Sequence, residues 1–466
     1  ATLNIRALGA IGSGDESEVL QYAVSNYKNI DLSVLSINAN GIDTAEDVSI
    51  KNGRLNLNLS NNYLLKVLTG FNVEFVDFYG SGNSTEELGE ILVSCGDVGG
   101  SVSPTQENIR IANCRFYDSN GYHILMSYVD RVFVDNNEFY NARYAANLFV
   151  SASNVDITNN LIDGLTGIAG NGNAYGVSFT KDSLVTLANG AVSNHCKAIG
   201  NTIKNVPTWN ALDTHGGTDI VFADNTIENC GFPIGIVGLE LPLDSDRGVE
   251  RVVVSGNTIT SNNTSLGIGI AGEVAGNNID VTVANNVLVN CGDPDNSISG
   301  AIYISETKTC SVTGNVVRNA GPHGIIWNSN CLGGSCVGNT IIDPFSNSTA
   351  TNSGIVLRAG NNNVIVSGNT LIRENAGLAT YVLQRGLYFV SATDRAIIGS
   401  NYNEAVLPIV GFQNATGLAG LVDVNDSTGG TANDTLQTIV GSGVDAGINN
   451  NFADCAKKLN EILAIL

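Results

Sequence analysis

Along most of this chain, apolar and polar residues alternate in short runs that break at an asparagine and resume after it. The frame apolar-x-apolar-x-x-Asn-x-apolar reads VFVDNNEF at Asn137, VDITNNLI at Asn160, AIGNTI at Asn201, FADNTI at Asn225, VVVSGNTI at Asn257 and VTVANNVL at Asn286. It continues as SVTGNVV at Asn315, CVGNTI at Asn339, VIVSGNTL at Asn369 and, more weakly, IIGSNY at Asn401. Alternation with period two is a strand buried on one face, so each copy predicts a strand, a tight turn and a second strand. Successive asparagines lie 23, 41, 24, 32, 29, 29, 24, 30 and 32 residues apart. A fixed local pattern at variable spacing predicts a solenoid whose coils keep their core and vary their loops. The asparagines read as structural: they tolerate a left-handed turn, and stacked amides can satisfy one another along the rod.

Each coil carries another strand upstream of its asparagine. Aligned on a small residue, these strands are GVSFTKD (176–182), ALDTHGG (211–217), GIVGLE (235–240), GIGIAGE (267–273), AIYISET (301–307), GIIWNSN (324–330), GIVLRAG (354–360) and GLYFVSA (386–392). The first and third positions after the small residue point inward and those between point out. Parallel strands stacked at about 4.8 Å per coil make the stretch from Asn137 to Asn401 a rod segment roughly 45 Å long.

The ends differ. Near the start, DESEVLQYAVSNY places Val19, Leu20, Ala23, Val24 and Tyr27 at helical spacing, with Ser13 or Asp15 able to cap. A helix here would cover the open end of the solenoid. At the other end, Phe452, Cys455, Leu459, Ile462 and Leu466 recur at steps of three and four. That stripe predicts a short amphipathic helix, which either docks on its own chain or bundles with copies of itself; a three-copy bundle buries it best. The expected organisation is a cap over 1–60, the solenoid over 61–402, a transition β region over 403–444 and a trimerisation helix over 445–466.

The order of strand, GAIGSGD turn, helix, strand and then repeating coils resembles the pectate-lyase-like right-handed parallel β-helices, to which many phage tailspikes belong. The resemblance spans most of residues 1–400, although the longer acidic turn common in the family is missing. It implies an all-β, right-handed, single-stranded parallel β-helix and a homotrimer built by a terminal element. It also implies a place on a phage tail after synthesis in the host bacterial cytoplasm, and a polysaccharide ligand of O-antigen or capsule type. Residue 1 begins almost at the cap, so the expectation is either that a tail adaptor protein carries the chain or that the sequence has been trimmed at its start.

Composition narrows the partners. The 466 residues include 53 Gly and only 8 Pro, and the net charge is −22. Nucleic acid is excluded as a partner, since it needs clustered Lys and Arg. No apolar run reaches membrane-spanning length and no basic-plus-apolar leader opens the chain. The nine cysteines include no CxxC pair and several recur at matching coil positions, so they read as small core residues made in a reducing compartment.

Chemistry concentrates on the outward positions between residues 176 and 307. One ladder is expected to run Ser178, Asp213, Val237, Gly269, Tyr303, Ile326, Val356, Tyr388, and the next Thr180, His215, Leu239, Ala271, Ser305, Asn328, Arg358, Val390. In LDTHGG, Asp213 and His215 leave the strand by the same face, about 6.6 Å apart. A carboxylate beside an imidazole can supply acid–base catalysis. Glycosidic hydrolysis requires two carboxyl groups, and Asp213 with Glu240 is the leading pair. Asp213, His215 and Glu240 are therefore the catalytic candidates, with Lys181, Asp182, Trp209, Glu273, Tyr303, Glu306 and Arg358 as sugar-binding candidates. Tyr175 beside Trp209 could extend a stacking platform. No metal cluster, nucleophile motif or phosphate loop stands out, and no cofactor is expected.

The function expected is tailspike-like: binding a bacterial surface polysaccharide and cleaving it as an endo-glycosidase. Two alternatives stay open, a polysaccharide lyase or epimerase on the same fold and a receptor-binding fibre without enzymatic activity.

Overall fold

A computed structural model describes residues 2–410, apart from 59–61, 83–88, 97–104, 168–172, 183–190, 239–246, 263–264, 273–277, 346–351, 359, 375–382, 384, 391–395 and 406. The transition region beyond 410 and the amphipathic stretch at 445–466, like Glu240 and Glu273, lie outside the described residues.

Each coil lays down three strands, and every strand pairing is parallel, so three sheets run along the rod. Sheet I includes Tyr122–Ser127, Ala145–Val150 and Tyr175–Thr180, sheet II Val129–Asp135 and Ser153–Thr158, and sheet III Glu138–Tyr140 and Leu161–Asp163. Two long strands, Thr202–His215 and Thr226–Val237, start in sheet III and turn the corner into sheet I. Pairing begins with Leu3–Asn4 on Asn29–Asp31 and continues to Leu407–Val410 on Arg385–Phe389. The chain is a right-handed parallel β-helix, as its repeats predict.

The repeated asparagines line the interior. Asn137, Asn160, Asn201, Asn225, Asn257, Asn286, Asn315, Asn339 and Asn369 are buried and form one continuous ladder. Asn137 Oδ1 accepts from the Cys114 backbone at 2.9 Å, and from Asn160 onward each side-chain oxygen accepts from the backbone and amide nitrogens of the asparagine one coil earlier, as Asn257 Oδ1 does from Asn225 at 3.0 and 2.9 Å. Each amide also donates to a carbonyl of its own core, Asn257 to Phe222 at 2.9 Å. The left-handed residue of the turn is the one before: Asn136, Asn159, Gly200, Asp224, Gly256 and Asn285 all have positive φ. The turn therefore divides the two jobs expected of one asparagine, because a residue bent into the left-handed region points its side chain outward.

Apolar columns fill the rest of the core. Phe78, Phe116 and Phe139 stack with ring centroids 4.6 and 4.8 Å apart. The eight cysteines among the described residues are buried and form no disulfide with one another, and burial pushes thiols such as Cys196 and Cys230 up to about 12, leaving them protonated and inert. At the N-terminus a helix, α1, spans Ser17–Asn26 and buries Leu20, Ala23 and Val24. Asp15 accepts from the Ser17 amide at 3.0 Å, and its neighbour Glu16 turns back to accept from Ile11 and Gly12.

The corner between sheets II and III holds two residues in coil after coil, as from Asp135 to Glu138, Ser255 to Thr258 and Ser367 to Thr370. Connections leaving sheet I vary, from Thr180 to Lys197 in one coil and from Ile304 to Cys310 in another. Variation in this fold thus borders sheet I, where a solenoid can change its binding surface without disturbing its core.

Candidate functional site

Parallel register places residues far apart in sequence into columns on the outside of sheet I. One column runs Leu125, Leu148, Ser178, Asp213, Gly235, Gly269, Tyr303, Ile326, Val356 and Tyr388. This differs from the expected ladder at one rung: Asp213 pairs with Gly235, and His215 with Val237, where Val237 and Leu239 were expected. The small residue at the head of that strand is replaced by Pro233, so alignment on a glycine slipped by two. A two-residue slip keeps the same face outward and leaves the pattern unchanged.

Asp213 is fully buried although it belongs to an outward column. Ser178 Oγ donates to its Oδ2 at 2.9 Å, and Asn210 Nδ2 donates to Oδ1 at 2.6 Å. His215 Nε2 stands 3.2 Å from Oδ2, with its side chain 29% exposed. The next rung explains why a carboxylate fits there. A Cβ on Gly235 would lie 2.3 Å from Asn210 Nδ2 and 3.0 Å from Asp213 Oδ1, so only glycine leaves room for both side chains. Asp213 therefore orients its neighbours, and His215 is the member of the group that reaches solvent.

Below Asp213 two successive rungs, Gly235 and Gly269, carry no side chain, and the next is Tyr303. The result is a strip about 14 Å long, three coil steps, in which Asn210 and Asp213 roof the buried Gly235 and neighbouring side chains roof the buried Gly269. The ring of Phe232 lies across Gly269, which a Cβ there would strike at 2.6 Å. Aromatic residues border the strip on the strand-entry side. Tyr122, Tyr144 and Tyr175 form a chain with centroids 5.1 and 5.5 Å apart, and Trp209, 38% exposed, stands beside Tyr175. Burial, and then the negative charge of Asp213, hold the Tyr175 phenol protonated well above its ordinary range. Tyr175 is itself buried, so Trp209 is the exposed face of this pair. Tyr122, Tyr144, Phe232 and Gly235 were not among the sequence candidates. Their signal was present: Tyr122 opens a strand of the repeat, and Tyr144 and Tyr175 each precede or begin the next.

The other candidates scatter. Lys181 and Asp182 are buried where the chain leaves sheet I; Lys181 Nζ donates to the Asp182 carbonyl at 2.8 Å, and Tyr128 donates to the Asp182 carboxylate at 2.9 Å. Both read as structural at this edge. Glu306, at φ 56°, accepts from Ser329 and Asn330 at 3.1 and 3.0 Å. It follows Ser305, three coils from His215, about 14 Å along the rod and too far to pair with Asp213 for hydrolysis. Tyr303 does stand on the sheet I face, further along, and Arg358 lies just past the end of the sheet I strand Ser353–Leu357.

Two concavities form elsewhere among the described residues, about 510 Å³ beside Asp77, Arg115 and Glu138, and about 390 Å³ beside Arg131, Asp156, Lys197 and Asp219. Their charges are spent on each other, as in Arg115–Asp77 at 2.8 Å and Lys197–Asp156 at 3.2 Å. Neither adjoins Asp213, and the sheet I strip is the better candidate because it combines the Asp213–His215 pair with the exposed ring of Trp209. Among the described residues no cluster of three or more His, Cys, Asp or Glu is placed to hold a metal, and no helix is long and apolar enough to cross a membrane.

No protein-family model matches this chain, and no curated protein sequence matches it. Solved structures do. The surface adhesin PfbA of Streptococcus pneumoniae aligns with TM-score 0.56 at 12% identity, over 83% of this chain and 90% of its own. The catalytic unit of an alpha-1,3-glucanase from Streptomyces thermodiastaticus aligns with TM-score 0.54 at 13% identity, over 89% and 70%. A tailspike mutant of E. coli bacteriophage HK620, in complex with a pentasaccharide, aligns with TM-score 0.54 at 12% identity, over 85% and 78%. At these identities the likeness is one of fold.

Proposed function

We propose that this protein binds a bacterial surface polysaccharide lengthwise along sheet I, in the manner of a tailspike. The observation that carries the reading is the strip between Asp213 and Tyr303: side-chain-free rungs at Gly235 and Gly269 overlaid by Asn210 and the Phe232 ring, an aromatic border ending in exposed Trp209, and an Asp–His pair at its head. Flat apolar rings beside hydrogen-bonding groups suit the two faces of a sugar. Likeness of fold to a pentasaccharide-bound tailspike, a glucanase and an adhesin supports a glycan ligand. In this reading three copies assemble through residues 445–466, an adaptor attaches them to a phage tail, and the spike adheres to the host surface.

A second reading, endo-glycosidic cleavage, is favoured by His215 on Asp213 at the strip's solvent edge. Asp213 has both oxygens occupied, so it would position His215 while Glu240 supplied the working carboxyl. Purified host-surface polysaccharides incubated with the protein separate the cases. Binding with new reducing ends that disappear in Asp213→Asn and Glu240→Gln supports hydrolysis, absorbance near 235 nm marks a lyase, and binding without either leaves a receptor-binding fibre. No binding to any surface polysaccharide refutes the proposal.

A further inference from the structure

Positive charge is scarce in this chain, with 22 Lys and Arg against 44 Asp and Glu, and about half of what is described is ion-paired. Arg115 sits on Asp77, Lys204 on Asp163, Arg251 on Asp219 and Arg318 on Glu374. Arg358 and Arg385 are different. Arg385 opens a sheet I strand, Arg358 is the first residue past the end of another, Ser353–Leu357, and neither has a carboxylate within 4.0 Å among the described residues.

Their geometry converges. Arg385 pairs with Ser353, five residues before the position of Arg358 on the adjacent strand. Its side chain does not stay there: the guanidinium lies 4.0 Å from the centroid of the Tyr388 ring, and Tyr388 pairs with Val356. Arg358 stands two residues further along and one coil back, so the two positions are about 8 Å apart on the sheet surface. Ile326 and Val356, outward but buried, supply an apolar floor, and Tyr303 stands two coils away. Both arginines act on the same imidazole, that of His323, and Arg358 also acts on the Tyr303 phenol. Hydrogen-bonding capacity is left over in the adjoining column. His323 Nδ1, Ser353 Oγ and Arg385 Nε, on three successive coils, have no hydrogen-bond partner among the described residues.

Two unneutralised guanidinium groups, one braced on a ring, fit one oxyanion placed between them. We infer that Arg358 and Arg385 form a subsite for an anionic substituent, a carboxylate or phosphate, on the polysaccharide bound along sheet I. The subsite rests on the proposed function and specifies it: the ligand is an acidic glycan. Its repeat presents charge at Tyr388 and Tyr303 and an uncharged, stackable face at Trp209. On a protein of net charge −22 a pair of arginines does not attract polyanions at long range, so selection happens at contact.

The test uses the full chain, immobilised, against purified bacterial surface polysaccharides, some neutral and some bearing uronates or phosphates. The tightest binder is expected to be acidic. Carbodiimide–borohydride reduction of its carboxyls, or removal of its phosphates, is expected to weaken binding at least about tenfold, and which treatment succeeds identifies the anion. Arg358→Gln and Arg385→Gln should each cost about tenfold on the native polymer and little on the neutralised one. Because the ligand-side treatments use unaltered protein, a misfolded variant does not rescue the idea. A neutral polymer as tightest binder, or undiminished binding after both treatments, overturns the subsite while leaving sheet I as a glycan surface. Failure to bind any polysaccharide removes the function and the subsite together.

Discussion

Replacing Asn257 by alanine tests whether the buried amide ladder holds the coils in register. Asn257 is fully buried in mid-ladder and makes five hydrogen bonds through its side chain and backbone N–H, while its carbonyl accepts from Val287. Alanine keeps the backbone donation to Asn286 Oδ1 at 3.0 Å and the bond from Val287 at 2.8 Å. Asn225 loses the acceptor for its backbone N–H at 3.0 Å and for one amide hydrogen at 2.9 Å, and the Phe222 carbonyl loses a donor at 2.9 Å. A buried group stripped of its partner costs about 1–3 kcal/mol, and water entering the small cavity recovers part of that, so the loss should be about 3–5 kcal/mol. The comparator is Asn285→Ala, one residue before the next rung, exposed and at φ 55°. Its cost is the left-handed backbone alone, about 1 kcal/mol, and Asn285→Gly should cost almost nothing. Urea unfolding of the three variants, followed by far-ultraviolet circular dichroism, reads the difference as a shift in midpoint at unchanged slope. Equal costs at 257 and 285, or less than about 1 kcal/mol at 257, would refute the ladder as a stabilising element.

Four further outcomes follow from the same structure. Gly235→Ala should displace Asn210 and Asp213, lower stability by about 1–3 kcal/mol and weaken polysaccharide binding of the folded protein; binding unchanged in a titration would detach the strip from function. Burial depresses the imidazole of His123 to about 3 and that of His323 to about 4, below the unfolded value near 6.5. The unfolded chain then binds more protons, so stability is complete above about pH 6.5 and falls toward pH 4, by about 1.4 kcal/mol per unit for each histidine. His123→Phe, which keeps a ring between Phe116 and Phe139, should flatten that fall in pH-dependent urea midpoints; an unchanged slope would contradict it. Light scattering should give three chains per particle and one after deletion of 445–466; a single chain before deletion refutes the bundle.

The parts legible in the sequence are those where one side chain has one environment. The asparagine frame was readable because a buried amide at a fixed corner cannot be exchanged for an apolar residue or an exposed polar one without orphaning its neighbours. The inward and outward positions of GVSFTKD and LDTHGG follow from the pleat, and Asp213 and His215 do share a face. What stayed hidden depends on neighbours one coil away. Asp213 is buried because Ser178, Asn210 and Gly235 close around it, and no local pattern reports that. The two-residue slip at Val237 was invisible for the same reason that the alternation was visible, since period two repeats after every second residue. Lys181 and Asp182 looked like continuations of the outward face, but the strand ends at Thr180 and the chain turns them into the body of the coil.

The central functional claim is that a glycan lies along sheet I, and a crystal structure of the protein soaked with an oligosaccharide cut from its tightest-binding polymer tests it most directly. Sugar rings should be found between Asp213 and Tyr303, over Gly235 and beside Trp209. Ordered sugar confined to the concavity at Asp77 and Glu138, or to sheet II beside Asp156 and Lys197, would contradict the account.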